Sequence, residues 1–298
     1  MAETAKTQFV TADNGVKFAY RRFGKASDVP IVHHIHFRGS MEFWDPLLVN
    51  TIAQYREVIL FDNAGTGQSS GNVPTTFKGW ASDLAAFIKA LGLKQVDLFG
   101  FSMGGIAVLQ TALDYPELVR KLVIAGARAS VPEKGPVEGI IWPQEQNPPE
   151  YTTKLAYAVT AEEGKEGLKY ACFPETDRGE AAFNEYWARI STRTAEPLRL
   201  DLLPMDPQGN NQYVALVDAL TPQPNNSFDR LGELKIPVLV LNGDADMVVP
   251  TSHSYELLKK VDNAQLILYP RSSHGFLWQY AKRVGEDADR FLDSVDFD

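Results

Sequence analysis

Ser102 sits in Gly100-Phe101-Ser102-Met103-Gly104-Gly105, between the apolar run Val96 to Phe99 and the apolar segment Ile106 to Leu113. A strand, a cramped turn and a helix in immediate succession hold a serine hydroxyl at the tip of a strained bend, where it can act as a nucleophile. Glycines at 100 and 104 leave the room that such a bend needs. As a bare pattern G-x-S-x-G recurs by chance, so its weight comes from the flanking strand and helix. A serine hydroxyl is a weak nucleophile near neutral pH; it needs a base, and the base needs an orienting carboxylate. Both types follow. Asp244 and Asp246 lie in Asn242-Gly243-Asp244-Ala245-Asp246-Met247-Val248-Val249-Pro250, after the apolar run Pro237 to Leu241. His274 lies in Arg271-Ser272-Ser273-His274-Gly275, after the run Ala264 to Pro270.

The remaining histidines are His33, His34, His36 and His253. His253, in Pro250-Thr251-Ser252-His253 at the start of a helix, reads as solvent-exposed or capping. The other three crowd one strand, which invites a zinc reading. Strand geometry sends His33 to the face opposite His34 and His36, and no Cys or Asp follows at ligand spacing, so no metal site is expected.

These side chains are far apart in sequence, so the fold must bring them together. Gln8 to Ala12 and Lys17 to Phe23 flank Asp13-Asn14-Gly15-Val16, an Asn-Gly turn that predicts an antiparallel hairpin at a sheet edge. Short apolar runs at Pro30 to His36, Val58 to Phe61, Val96 to Phe99 and Lys121 to Ala125 alternate with helical segments near Trp44 to Gln54 and Thr76 to Leu91 and with the helix after Ser102. In the Thr76 to Leu91 segment Trp80, Leu84, Phe87, Ile88 and Leu91 form a core stripe. This alternation predicts a mainly parallel sheet with right-handed crossovers. Ser102, the Asp244/Asp246 pair and His274 each follow a strand, so all emerge at the same carboxyl edge.

Serine, aspartate and histidine in that chain order resemble the α/β-hydrolase superfamily, and the likeness covers nearly the whole chain apart from a middle insertion. In that family the acid is the second Asp of a Gly-Asp-x-Asp run leading into Val-Pro, which implies Asp246; Asp244 then reads as a turn residue bonding local amides. Some members carry the acid after the sixth strand, but here that place reads Ala125-Gly126-Ala127-Arg128 and offers no carboxylate. His36 occupies the place of the His of a His-Gly pair, commonly structural, although Phe37 stands where the family has Gly. The family draws its oxyanion donors from this loop and from the residue after the nucleophile, which implies the backbone amides of Phe37 and Met103. Arg38 beside them reads as a surface ion-pair partner, with a substrate-anion clamp as the alternative. Asp62-Asn63-Ala64-Gly65-Thr66-Gly67-Gln68-Ser69 resembles the superfamily's Asp-x-x-Gly-x-Gly-x-Ser loop. Its Gly-x-Gly does not open a helix after the first strand, so a dinucleotide site is not expected.

The resemblance implies a mostly parallel eight-stranded sheet flanked by helices, with residues 1–127 and 228–298 as the core and 128–227 as an inserted helical cap. Within the insertion Tyr151 to Thr160, Glu162 to Ala171, Arg178 to Thr192 and Gln212 to Leu220 read as helices. Thr160 and Glu163 have capping-box spacing, and Asp177 is placed to cap the third of these helices. Trp142, Tyr157, Phe183 and Trp187 are candidates to line an apolar pocket beneath the cap, with Phe173 and Tyr186 also available; each of them equally suits packing of helix on helix.

Composition excludes other classes. A chain of 298 residues with 44% hydrophobic and 22% charged residues is an ordinary globule, and a net charge of -9 gives no basic surface to neutralise phosphates, so nucleic acid is not an expected partner. The single Cys172 forms no internal disulfide and points to a reducing compartment, while the polar Met1 to Gln8 and the absence of a long apolar run suggest neither a secretion signal nor a membrane span; cytosol is the default. The expected activity is a cofactor-free serine hydrolase on an ester or lactone of a medium-sized, mostly apolar small molecule. A Ser nucleophile disfavours the dehalogenase and epoxide-hydrolase branches, which the resemblance says use Asp. Perhydrolysis, carbon-carbon bond hydrolysis and a non-hydrolytic receptor or biosynthetic role stay open. Substrate identity and oligomeric state are not legible at this level.

Overall fold

Apolar strands that are hydrophobic on both faces must be covered by helices on both faces. The computed structural model, which describes residues 1–141 and 150–295, has this layered arrangement. The strands are β1 (Gln8–Thr11), β2 (Lys17–Gly24), β3 (Ile31–His34), β4 (Glu57–Phe61), β5 (Val96–Phe101), β6 (Val119–Ala125), β7 (Val238–Gly243) and β8 (Ala264–Tyr269). They form one eight-stranded sheet in the order β1-β2-β4-β3-β5-β6-β7-β8. The β1–β2 and β2–β4 pairs are antiparallel, and the pairs from β4 to β8 are parallel. The predicted hairpin is present, with Gly15 at φ 82° in its turn.

The chain runs outward from β3 to β4 and then returns to the other side of β3 with β5, so strand order reverses between β3 and β5. Loops leaving two such strands diverge and open a crevice at their carboxyl ends, where ligands of α/β sheets bind. His34 pairs with Gly100 across this junction, so the loop after residue 34 and the turn at Ser102 start side by side.

Alternate strand residues feed two apolar layers. Val32, Ile59, Leu98, Leu122 and Val240 pack under helices α2 (Phe77–Ala90) and α3 (Met103–Asp114). Ile31, Val58, Phe99, Val123 and Leu239 face α1 (Pro46–Ala53) and residues that belong to the far end of the chain. All ten are buried.

Between β6 and β7 the chain builds α4 (Glu150–Ala156), α5 (Ala161–Cys172), α6 (Asp177–Ile190) and α7 (Asn210–Leu220). Thr160 and Glu163 form the expected reciprocal capping box on α5. Asp177 does not cap α6. Thr176 does, because its extended backbone (φ -140°, ψ 158°) lets Oγ1 accept from Gly179 N; Asp177 falls inside the first turn, where its charge complements the helix dipole. Helix α6 is fastened to the core: Tyr186 donates its hydroxyl hydrogen to Phe43 O at 3.1 Å, and the Arg189 guanidinium forks onto the buried Asp45 carboxylate at 2.7 to 3.1 Å. After β7 come α8 (Thr251–Lys260), then β8, α9 (Phe276–Gln279) and α10 (Ala281–Asp293). Among the described residues no helix is long and apolar enough to cross a membrane.

Candidate active site

Ser102 stands between the last residue of β5 and the first of α3 at φ 55°, ψ -121°, a conformation that strongly disfavours a side chain. It persists because the surroundings fix it. Ser102 N donates to Ala125 O at 2.9 Å, binding the bend to the end of β6. A Cβ on Gly104 would overlap the carbonyls of His34 and Ile35, and one on Gly100 would collide with the backbone of Gly104, so the strand and helix meet this closely only with hydrogen at both positions.

His274 and Asp246 meet directly: Nδ1 lies 2.8 Å from Asp246 Oδ2, with the imidazole 4% exposed and the aspartate 1%. Asp246 Oδ1 accepts from Val248 N and Val249 N, both at 2.8 Å, so the carboxylate is held by the Val-Pro turn on one oxygen and presents the other to the ring. Asp244 does something different. It is exposed, and its Oδ1 accepts from Ser272 N at 3.2 Å, which ties the β7 loop to the β8 loop. With Nδ1–H donated to Asp246, the His274 tautomer leaves Nε2 with the lone pair a base requires.

The neighbours of Ser102 in sequence touch His274 in space. Phe101 lies 4.9 Å from the imidazole, ring centre to ring centre. Gly126, one residue beyond the Ala125 carbonyl that holds Ser102 N, sits at φ 53°, and a Cβ there would come within 3.2 Å of His274 Cε1. In the sequence the signal for this contact is the glycine at 126 itself. Gly275 N donates to Cys172 O at 2.6 Å, so the end of α5 holds the residue after His274. Nothing in the sequence announced that contact.

Neither the Phe37 nor the Met103 amide has a protein acceptor among the described residues. Met103 is the first residue of α3, where the N–H cannot bond within the helix. His36 Nδ1 lies 2.9 Å from Phe37 O and thereby steadies the loop. Asp62 steadies it from the other side: its carboxylate accepts from Met41 N at 2.8 Å and Gln68 N at 2.9 Å, and burial pushes its pKa up to about 6.

Several expected roles need correction. Arg38 is not the surface ion-pair partner expected. It is 3% exposed, and its guanidinium donates to the carbonyls of Leu203, Leu155, Ala156 and Ala158 of the helical insertion at 2.6 to 3.2 Å. Burial pushes its pKa down. His253 is buried, because α8 lies with its first turn against 128–141; burial first, and the charge of Arg128 second, pull its pKa down to about 3. His33 and His34 do occupy opposite faces, against Trp44 and Phe99 and against Phe61 and Trp80 respectively. His36, however, shares the His33 side, packing on Phe43, Phe101 and Trp278, since β3 ends at His34 and strand alternation stops there. Among the described residues no group of three or more His, Cys, Asp or Glu could hold a metal ion.

Of the pocket candidates, Trp142 lies outside the described residues. Tyr157 is 67% exposed on the turn after α4. Phe183 packs edge-on against Phe173 at 5.4 Å and serves the helix packing, while Trp187 is half-buried with Lys165 Nζ over its ring. Trp278, 1% exposed, packs behind this region: it stacks on Tyr186 at 4.3 Å and meets both Phe101 and His36.

A strained serine beside a histidine-aspartate pair at the reversal point of an eight-stranded sheet defines a hydrolase of the α/β class. The family model described as alpha/beta hydrolase fold matches residues 36–280, and the chain belongs to that family. It is 32% identical over 252 residues to a 2-hydroxy-6-oxononadienedioate/2-hydroxy-6-oxononatrienedioate hydrolase of Burkholderia vietnamiensis, covering 80% of this chain and 77% of that protein. Serine hydrolase BPHL of Mus musculus is 26% identical, with coverage of 97% and 87%. An alpha/beta hydrolase fold protein from Chitinophaga pinensis superimposes with a TM-score of 0.83 at 30% identity, covering 98% of this chain and 99% of that one. The protein is therefore an α/β-hydrolase enzyme.

Proposed function

We propose that the protein is a serine hydrolase that cleaves a carboxylic ester or lactone of a medium-sized, mostly apolar small molecule, with residues 128–227 acting as a cap over the site. The observation that carries this reading is the 2.8 Å His274 Nδ1 to Asp246 Oδ2 bond beside a serine at φ 55°. In it, Ser102 Oγ attacks the carbonyl carbon while His274 Nε2 accepts its proton. Asp246, fixed by two backbone amides, stabilises the imidazolium that forms. The free amides of Phe37 and Met103 receive the negative oxygen of the tetrahedral intermediate. The imidazolium then protonates the leaving alkoxide, and a water activated by the regenerated base releases the acid.

The test is a panel of p-nitrophenyl esters and lactones of graded acyl length, with serine-directed fluorophosphonate labelling of wild type and Ser102→Ala. Turnover and labelling in the wild type, both lost in the variant with a rate drop of roughly several orders of magnitude, support the reading. Ligand binding by both proteins with turnover by neither would instead mark a receptor.

The similarity to the Burkholderia enzyme favours a second reading, carbon-carbon bond hydrolysis of an oxo-dienoate by the same three residues. Supplying 2-hydroxy-6-oxonona-2,4-dienedioate and following loss of its visible absorbance separates the two, since an ester-specific site leaves the dienoate intact.

A further inference from the structure

The residue next to the proposed oxyanion donor has every polar group it owns committed to the helical insertion. Arg38 N donates to Gln212 Oε1 on α7 at 2.7 Å, and Arg38 O accepts from Leu203 N at 2.9 Å. Its Nε returns a bond to Leu203 O at 2.6 Å. The two terminal nitrogens reach a second segment of the insertion, at Leu155 O, Ala156 O and Ala158 O, where α4 ends. One side chain thus joins the stretch after α4 to the stretch before α7, and both to the loop after β3.

Two features make this more than surface fastening. Arg38 has φ 61°, a left-handed conformation that an arginine adopts only when its surroundings compel it. It is the third residue of a turn closed by Gly39 N donating to His36 O at 3.1 Å, a position that calls for positive φ, and the insertion grips that turn through the bonds to Gln212 and Leu203. The guanidinium is also buried among carbonyl oxygens, donating to four of them, an arrangement that requires all the acceptors to be in place together. The backbone at 38 sets where the preceding peptides point, and the Phe37 N–H belongs to one of them.

We propose that Arg38 is a positioning residue: by latching two segments of the insertion, 155–158 and 203–212, it makes seating of the cap and aiming of the Phe37 amide a single event, with Gln212 as the second part of the latch. This rests on the reading of Phe37 N–H as an oxyanion donor. A substrate that displaced the cap would then also disarm the site, so turnover is confined to the closed form.

Three variants of the full chain test it. Arg38→Gly removes the guanidinium while leaving a backbone at ease in the left-handed region. Arg38→Lys keeps the charge and cannot fork to several carbonyls. Gln212→Met removes only the acceptor of Arg38 N. On p-nitrophenyl acetate, too small to depend on cap contacts for binding, kcat should fall by roughly tenfold or more in Arg38→Gly, with KM within about threefold of wild type, because misaiming one donor costs part of the 10²–10³ that its loss would. Arg38→Lys should not rescue it, and Gln212→Met should lose kcat by roughly severalfold. Hydrogen exchange followed by mass spectrometry should show residues 35–41, 153–160 and 200–213 losing protection together in Arg38→Gly. An unchanged kcat in a folded variant, with only KM raised or only the melting temperature lowered, would reduce Arg38 to a structural tie and overturn the proposal. Should Arg38→Gly fail to fold, Gln212→Met decides on the same two readouts. Should the wild type turn over no ester, the serine-hydrolase reading falls, and the exchange pattern still judges the latch: loss confined to residues 35–41 overturns it, and concerted loss sustains it.

Discussion

Replacing His33 with phenylalanine should make this protein markedly more resistant to acid, by an amount the structure fixes. His33 is fully buried, stacked on Phe99 at 5.1 Å and edge-on to Trp44 at 4.9 Å. Burial pulls its pKa from 6.5 down to about 3. At about pH 5 the unfolded chain therefore holds a proton on this ring that the folded chain refuses, which costs about 2 kcal/mol of stability relative to about pH 8. The sign is that of a histidine with a depressed folded pKa: its contribution is intact above 6.5 and is lost as pH falls below that value. The figure is insensitive to the folded value, since any pKa well below 5 leaves the folded ring neutral. His34 and His36, at about 4, and His253, at about 3, are buried in the same way. All four therefore push stability in the same direction, downward as pH falls below 6.5. Asp62 opposes them, because its raised pKa of about 6 means that the folded state takes up a proton first, returning part of the loss over the same interval. Chemical denaturation of wild type and His33→Phe at about pH 8 and about pH 5 reads the difference directly. Packing changes are common to both pH values and cancel, so the variant's advantage should grow by about 2 kcal/mol on acidification. An advantage equal at the two pH values would refute the assignment of His33 as a buried neutral imidazole.

Exchanging the two aspartates separates their roles: Asp246→Asn should lower kcat by roughly 10³-fold or more through the wrong histidine tautomer, whereas Asp244→Asn, which loses only a loop bond, should stay within about threefold; equal losses on an ester assay would count against Asp246 as the acid. Gly126→Ala places a methyl group 3.2 Å from His274 Cε1 at a φ of 53°, so kcat should drop by roughly tenfold or more with a stability loss of about 1 kcal/mol, measured by turnover and thermal melting. Phe183→Ala should cost about 3–5 kcal/mol by opening a cavity between Phe173 and Trp187, while Tyr157→Ala should stay within about 0.5 kcal/mol, a contrast that urea titration resolves.

Most of the fold was legible because its signals are local. The Asn-Gly turn marks the hairpin, the apolar runs mark the strands, and the stripe Trp80, Leu84, Phe87, Ile88 marks α2, each within a window of a few residues. The serine bend was legible for the same reason, since Gly100 and Gly104 are its steric requirement and lie beside it. The choice between Asp244 and Asp246 came only from a resemblance, because two carboxylates two residues apart in a loop are locally equivalent. Tertiary structure separates them: one reaches the imidazole and the other the backbone at Ser272.

What the sequence could not yield is whatever depends on how the insertion docks. Arg38 reads as a surface charge in any local window, and only the carbonyls of Leu155, Ala158 and Leu203, brought to it over more than a hundred residues of chain, turn it into a buried latch. Tyr157 and Phe183 are equally aromatic in sequence, yet one faces solvent and the other the packed interior. Periodicity along a helix states which residues share a face; the partner of that face is set by long-range packing, and that information exists only in three dimensions.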